Sequence, residues 1–151
     1  MLPGDYREWV FLSSGLGMTY QPMAGQSDPA FTNVFVNRSA YRSFLSTGTW
    51  PDKTMLLLEV RASVSKGSIN KAGSYQSALI AIEGEVKDRA KFPGHGWTFF
   101  AFGKSSTGKM LARTEDCYAC HQEHGAVDNT FVQFYPALLE IAKQKETLKA
   151  R

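Results

Sequence analysis

The stretch WPDKTMLLLEV, residues 50–60, decides how this chain is built. Its proline stands at the second position of a turn, where the fixed backbone angle of proline is favoured. The residues that follow, 54–60, are mostly apolar and include types that favour strands. A short apolar run that starts from a turn is typical of a buried strand. We therefore predict a buried β-strand over residues 54–60.

Further segments with strand patterns lie on both sides of this one. Alternating or apolar residues predict strands over 31–36, 78–86 and 97–102, and a short strand over 109–113 that pairs with the previous one. A loop rich in Ser, Gly, Lys and Asn separates the central strands over 63–76. The sequence therefore predicts several antiparallel strands.

Helical spacing of apolar residues occurs in three other places. Residues 5–16 predict an opening helix that ends at glycine, and Ser39 can cap a short helix after the strand 31–36. Residues 130–149 predict a closing helix, whose start Pro136 breaks or delays. We therefore predict one α+β domain over residues 1–151, a mainly antiparallel sheet with flanking helices.

Size and charge exclude several classes of protein. A chain of 151 residues with 43% hydrophobic and 21% charged residues is typical of one globular domain. The net charge of +3 comes without a dense basic cluster, which argues against a nucleic-acid partner. No apolar run approaches the length of a membrane span. The start of the chain lacks the pattern of a signal peptide, and we take it as a processed form.

Both cysteines of the chain lie in one late motif, Cys117-Tyr118-Ala119-Cys120-His121. Two thiols at this spacing can add to the two vinyl groups of a porphyrin, and the adjoining imidazole can bind the iron. The motif therefore predicts one haem c per chain. Cys117 and Cys120 would form the thioether links, and His121 would be the proximal iron ligand.

Three other uses of the same residues stay open. A redox dithiol also has two cysteines at this spacing, but normally within a βαβ unit, which the sequence does not show. A zinc site could be formed by Cys117, Cys120, His121 and His124, although the ligand pairs of structural zinc sites are usually farther apart. A disulfide would close only a four-residue loop and would stabilise the chain little.

The order of the motifs resembles the cytochrome P-460 superfamily, which includes hydroxylamine-oxidising enzymes and the cytochromes c-prime-beta. The similar segments are residues 5–9, 33–37, 40–41, 50–52, 57–61, 97–103 and 117–128. The haem motif is the one segment that is specific by itself, and the others contribute through their order. The resemblance implies a largely antiparallel sheet, a homodimer and a periplasmic location.

The members of this superfamily differ on the open side of the iron. In the hydroxylamine-oxidising branch a lysine is linked to the porphyrin, and the matching position here, just before Glu59, is Leu58. The resemblance therefore favours the c-prime-beta branch, with Leu58 and Phe31 as apolar caps on the distal side. An apolar pocket would admit NO or CO, because a bound anion would lose hydration without gaining hydrogen bonds.

Two alternatives to gas binding stay open, and each requires a different group on the distal side of the iron. A methionine there would make the protein an electron carrier for a redox partner protein. The candidates are Met18, Met23, Met55 and Met110, and Met110 is favoured because Met55 shares a strand face with Leu57. A hydroxylamine-oxidising or peroxide-consuming enzyme is the third hypothesis, and it would need a linked lysine or distal polar groups.

Several other polar residues are weighed for roles near the haem. Arg61 and Arg113 are candidates for pairing with a haem propionate, because guanidinium groups match carboxylates. Glu59 is either a proton relay or a charge at a strand edge. His95 and His124 are expected to be exposed.

Overall fold

A computed structural model describes residues 1–19 and 29–150. Within these residues, six strands form one antiparallel sheet and follow one another in chain order. They are β1 (Val10–Leu16), β2 (Phe31–Val36), β3 (Met55–Val64), β4 (Tyr75–Lys87), β5 (Trp97–Gly103) and β6 (Lys109–Met110). The helices are α1 (Arg38–Thr47), α2 (Asp116–His124) and α3 (Pro136–Gln144), with 3-10 turns at Tyr6–Glu8 and Val132–Phe134. The mixed architecture confirms the predicted α+β class.

The register of the strands sorts their side chains onto two faces, because directly opposed residues share a face. One face, which we call the helix face, carries α1 and α3. Three rows of side chains cross it from strand to strand. The first row is Val36, Leu56, Glu85 and Phe99; the second is Val34, Leu58, Glu83 and Ala101; the third is Thr32, Val60 and Ala81.

The main core lies between the helix face and the helices. Phe44 of α1 and Leu138 of α3 are fully buried against the indoles of Trp50 and Trp97. Burial of one such side chain contributes about 1.5–3 kcal/mol. Gly48 ends α1 with a φ of 73°, a left-handed conformation that glycine adopts without strain. This core fixes the part of the sheet that carries the first row.

The 3-10 turn near the N-terminus covers the opposite face of the sheet. Tyr6 packs there with Leu57, and its hydroxyl donates a 2.8 Å hydrogen bond to Glu59. Arg7 and Arg61 also bind this carboxylate, which is 1% exposed. Glu59 and Arg61 therefore form a buried polar cluster on the face away from α1 and α3.

The predicted opening helix over 5–16 is wrong. The chain makes only the short turn Tyr6–Glu8 and then enters β1, which pairs with β2 from Val10↔Val36 to Leu16↔Phe31. Residues that fit a helix also fit this strand, and the apolar partners in β2 decide the outcome. The structure shows no helix that is both long and apolar enough to cross a membrane within residues 1–19 and 29–150.

Other boundaries move for identifiable reasons. The closing helix starts only at Pro136, because the first turn of a helix does not need the N–H that proline lacks. The strands β3 and β4 extend through Val64 and from Tyr75, so the loop between them is shorter than the predicted 63–76. The predicted strand 109–113 is only Lys109–Met110.

The variant Thr130→Val tests the link between the core and the turn that follows α2. Trp50 donates its indole N–H to the Thr130 hydroxyl at 2.8 Å, and both residues are buried. Valine fills the same volume but leaves the indole unpaired, so we expect urea denaturation to give a free energy of unfolding lower by about 1–3 kcal/mol. The exposed Thr114→Val is the control. Equal losses in the two variants would contradict this role for the Thr130 hydroxyl.

Candidate functional site

The helix α2 carries the late cysteine motif and is fixed to the edge of β5 by Tyr118, which is 6% exposed. The Tyr118 hydroxyl accepts the backbone N–H of Phe99 at 3.4 Å and donates to the carbonyl of Leu111 at 3.3 Å. The rings of Tyr118 and Phe99 meet edge to face, with centroids 4.7 Å apart. These contacts set the rotation of α2 against the sheet.

Cys117, Cys120 and His121 share one side of α2, because residues three and four apart are neighbours on a helix. Both cysteines are free thiols and half-buried, so they are not joined as a disulfide. Burial, together with the charge of Glu83, raises the pKa of the Cys117 thiol. A redox dithiol needs a lowered thiol pKa, so this environment does not favour that alternative.

His121 is held in one orientation. Its ring lies between Phe99 and Phe131, with centroid separations of 4.6 and 4.4 Å. Its Nδ1 atom is 2.9 Å from the backbone carbonyl of Asn129, and because a carbonyl can only accept, Nδ1 carries the proton. Burial lowers the pKa of the imidazole, which favours the neutral form. The lone pair of Nε2 is therefore left for a metal.

A tight turn presents the Asn129 carbonyl to His121. Asp128 and Asn129 have φ values of 50° and 62°, and the N–H of Thr130 returns to the carbonyl of Val127 at 2.9 Å. Two consecutive left-handed residues are typical of a type I′ turn, for which Asp and Asn are favoured. Sequence analysis missed this turn, although the Asp-Asn pair was a usable signal.

Gly125 lets this turn pack directly on the end of α2. A β-carbon at Gly125 would lie 2.6 Å from the carbonyl carbon of Asn129 and 2.6 Å from the carbonyl oxygen of His121. Both of these are backbone atoms, which cannot move aside as a flexible side chain would. The close approach therefore needs a residue without a side chain.

Glu85 lies beneath His121 in the otherwise apolar first row. Its Oε2 atom is 3.4 Å from Nδ1 of His121 and, within the described residues, has no hydrogen-bond partner. Burial raises the pKa of this carboxyl well above its usual value, and the charge of Asp128 adds to the rise. The raised pKa favours the protonated carboxyl, beside an imidazole whose pKa is lowered. Sequence analysis did not single out Glu85.

The second and third rows continue the helix face beyond His121 and are only partly covered. Their half-buried members are Thr32, Val34, Leu58, Val60, Ala81 and Ala101. All of these are apolar except Thr32, while Glu83 in the second row is exposed. An apolar and partly open surface thus adjoins the motif of α2.

The structure brings only some of the predicted distal residues to this surface. Leu58 lies on the helix face, opposite Val34. Phe31 is opposite Arg61 in the same uninterrupted register, which places it on the other face. Phe31 and Leu58 are therefore not brought together as two caps over one site.

Met110 is also on the wrong side for the proposed sixth ligand. It pairs with Phe100, whose neighbours on the sheet place it on the face opposite Phe99 and His121, and it is 57% exposed. Met55 shares the face of Leu57, as expected. Met18 packs over Gly15 and Thr32 at the edge of the third row. Met23 lies outside the described residues.

The remaining polar candidates also differ in whether they lie near α2. Arg113 stacks over the ring of Tyr118 at 5.2 Å and donates to the carbonyl of Pro93 at 2.9 Å, so it lies beside α2. Arg61 is bound to Glu59 on the opposite face. His124 is exposed. Within residues 1–19 and 29–150 no three His, Cys, Asp or Glu side chains converge as metal ligands, which gives the zinc alternative no support.

The residues of α2 fit a covalently attached porphyrin. Two thiols and an unoccupied imidazole nitrogen lie on one side of a fixed helix, next to an apolar surface that the protein leaves partly uncovered. In comparisons with known proteins, the family model for Cytochrome P460 matches residues 3–132. The match includes all six strands and α2, and it ends before α3. No curated protein matches the chain.

Proposed function

The chain belongs to the cytochrome P-460 family, whose members carry a haem, and from that premise we propose that it is a monohaem c-type cytochrome that binds NO or CO at its iron. The observation that carries the proposal is the position of Leu58 on the same face as His121, in a row that is apolar except for the exposed Glu83. The periplasmic location and the homodimer implied by the resemblance are part of the same proposal.

Each residue of the motif has a role in this proposal. Cys117 and Cys120 would hold the haem through thioether links, and Nε2 of His121 would bind the iron from one side. The haem, when bound, supplies an iron with a sixth position for an added ligand. The Asn129 carbonyl keeps Nδ1 protonated and so keeps Nε2 available.

The second and third rows favour a small uncharged ligand. Val34, Leu58, Val60 and Ala101 offer neither a charge nor a hydrogen-bond donor from their side chains. The charged member of the second row is Glu83, whose negative charge disfavours an anion as well. An anion at such a surface would lose its hydration without replacement, whereas NO and CO lose little. The surface therefore selects ligands by polarity.

The lysines near this part of the sequence do not favour hydroxylamine oxidation. Position 58 is leucine, and Lys53 is bound to the carboxylate of Asp88 at the turn before β3. Lys66 and Lys71 are exposed between β3 and β4. None of these three takes the position of the linked lysine.

Optical spectroscopy of the purified protein tests the proposal. The pyridine haemochrome spectrum is expected to show a haem c, and the ferric and ferrous forms are expected to be high-spin and to change on addition of NO or CO. A low-spin spectrum with a thioether-to-iron charge-transfer band and no response to either gas would contradict gas binding.

One observation favours an electron carrier as the second candidate. Met18 lies against Gly15 and Thr32 on the side of the helix face, unlike Met55 and Met110. A thioether from this loop could take the sixth position of the iron, in place of the predicted Met110. In that case Met18→Leu would convert a low-spin spectrum into a high-spin one.

The variant Leu58→Ala tests whether the second row lines the ligand site. Removing this half-buried side chain opens space in the second row of the helix face, so we expect flash photolysis to show CO rebinding faster by several-fold. Leu79→Ala is the matched control, because Leu79 is a half-buried leucine that packs on the opposite face. Unchanged rebinding in Leu58→Ala, or an equal change in both variants, would place the ligand site elsewhere.

A further inference from the structure

Glu85 is the one buried carboxyl group in the first row of the helix face. Its neighbours in that row are Val36, Leu56 and Phe99, and it is itself 7% exposed. A carboxyl group in such a place is costly to bury unless it has a polar partner. The position of Glu85 therefore needs an explanation other than packing.

The nearby cation does not supply that partner. Lys87 lies two residues farther along the same face of β4, but its ammonium group binds the carbonyl of Trp50 and the carboxylate of Asp128. The polar atom that faces Oε2 of Glu85 is Nδ1 of His121, at 3.4 Å. Within the described residues Oε2 has no hydrogen-bond partner, so Nδ1 is the donor placed to supply one.

We propose that Glu85 is a positioning residue for His121 and acts as a second acceptor for the Nδ1 proton, beside the carbonyl of Asn129. The proposal rests on the haem-binding function of His121 proposed above. One N–H shared between two acceptors is a common arrangement in proteins. Glu85 approaches from the sheet and Asn129 from the turn, so together they fix the plane of the imidazole ring.

Glu85 would affect the iron through the imidazole ring of His121. Acceptors at Nδ1 increase the electron density on Nε2, and such outer partners are known to raise the basicity of a metal-bound histidine. A stronger nitrogen donor favours the ferric over the ferrous iron and strengthens the iron-histidine bond. Glu85 thereby lowers the reduction potential of the haem that the chain would carry.

Three substitutions test this role in the haem-loaded protein. Glu85→Leu removes the acceptor and keeps a buried side chain of similar size. Glu85→Gln keeps an oxygen acceptor at the same place. Glu140→Leu is the control, because it makes the same exchange at an exposed glutamate of α3 that is ion-paired with Lys143. The readouts are the iron-histidine stretching frequency by resonance Raman spectroscopy and the reduction potential.

We expect Glu85→Leu to retain covalent haem, to lower the stretching frequency and to shift the potential to more positive values. Glu85→Gln is expected to restore most of both values, and Glu140→Leu to leave both unchanged. The free energy of unfolding of Glu85→Leu is expected to equal or exceed that of the wild type, because a buried carboxyl is replaced by an apolar side chain while Nδ1 keeps its bond to the Asn129 carbonyl. A purely structural role for Glu85 predicts the opposite stability change.

Two results would overturn the proposal. One is a stretching frequency in Glu85→Leu equal to that of the wild type; the other is an equal shift in Glu140→Leu. If Glu85→Leu does not fold, Glu85→Met provides the same loss of acceptor with a more adaptable side chain. Failure of the wild type to carry covalent haem would instead refute the proposed function, which separates the two tests.

Discussion

The double variant Cys117→Ala/Cys120→Ala is expected to carry no covalent haem. Both thiols lie on one side of α2 beside His121, and they are the only cysteines of the chain, so no other residue can form a thioether link. We expect complete loss of the haem stain in a denaturing gel and of the haem c band in the pyridine haemochrome spectrum. Each single variant would keep one link and a shifted haemochrome band.

Ala119→Ser is the matched control for this experiment. Ala119 lies between the two cysteines on the same helix but is exposed, so a hydroxyl group there meets solvent. We expect haem content equal to that of the wild type. Haem that remains in the double variant after denaturation would mean that the cysteines do not attach it, and the proposed function would then be wrong.

The central part of the sheet could be predicted because its signals are local. The turn at Trp50-Pro51-Asp52 and the apolar run after it gave β3, and β2 was predicted with its observed bounds. The opening helix was wrong because the choice between helix and strand at residues 10–16 is made by pairing with β2, which lies about twenty residues later in the chain. The spacing of apolar residues within 5–16 carries no information about the strand that pairs with them.

Which of the proposed distal residues share a face could not be predicted, because a strand exposes its side chains alternately to two faces. The choice of Phe31 with Leu58 depended on the register between β2 and β3, and that register places Phe31 opposite Arg61 and Leu58 opposite Val34. A shift of one residue would reverse the faces. The same reasoning removes Met110, which pairs with Phe100. The spacing of the cysteine motif predicts which residues lie together on α2. It does not predict which face of the sheet a strand residue occupies.

The surroundings of His121 come from segments that are distant or irregular in sequence. Glu85 approaches from β4, more than thirty residues before the motif, and nothing in its local sequence points to a histidine. The Asn129 carbonyl is a backbone atom, so its role depends on the left-handed turn rather than on a side chain. The Asp-Asn pair predicts such a turn, but not where its carbonyl is directed.

Gly125→Ala is expected to damage the site more than any other single substitution of a small residue near it. The added β-carbon would lie 2.6 Å from backbone atoms of both His121 and Asn129, so the turn has to move away from α2. Overpacking of this kind typically costs up to about 3 kcal/mol of unfolding free energy. The same movement takes the Asn129 carbonyl away from Nδ1 and releases the orientation of the His121 ring.

Two measurements separate these consequences. Urea denaturation measures the loss of stability, and the iron-histidine stretching band of the haem-loaded protein is expected to broaden and fall in frequency as the ring loses its fixed acceptor. Gly4→Ala is the matched control, because a β-carbon there meets no atom within 4 Å. A lower stability with an unchanged stretching band would mean that the turn only supports the fold. An altered band that follows the loss of stability would show that the same backbone contact holds both α2 and the iron ligand in place.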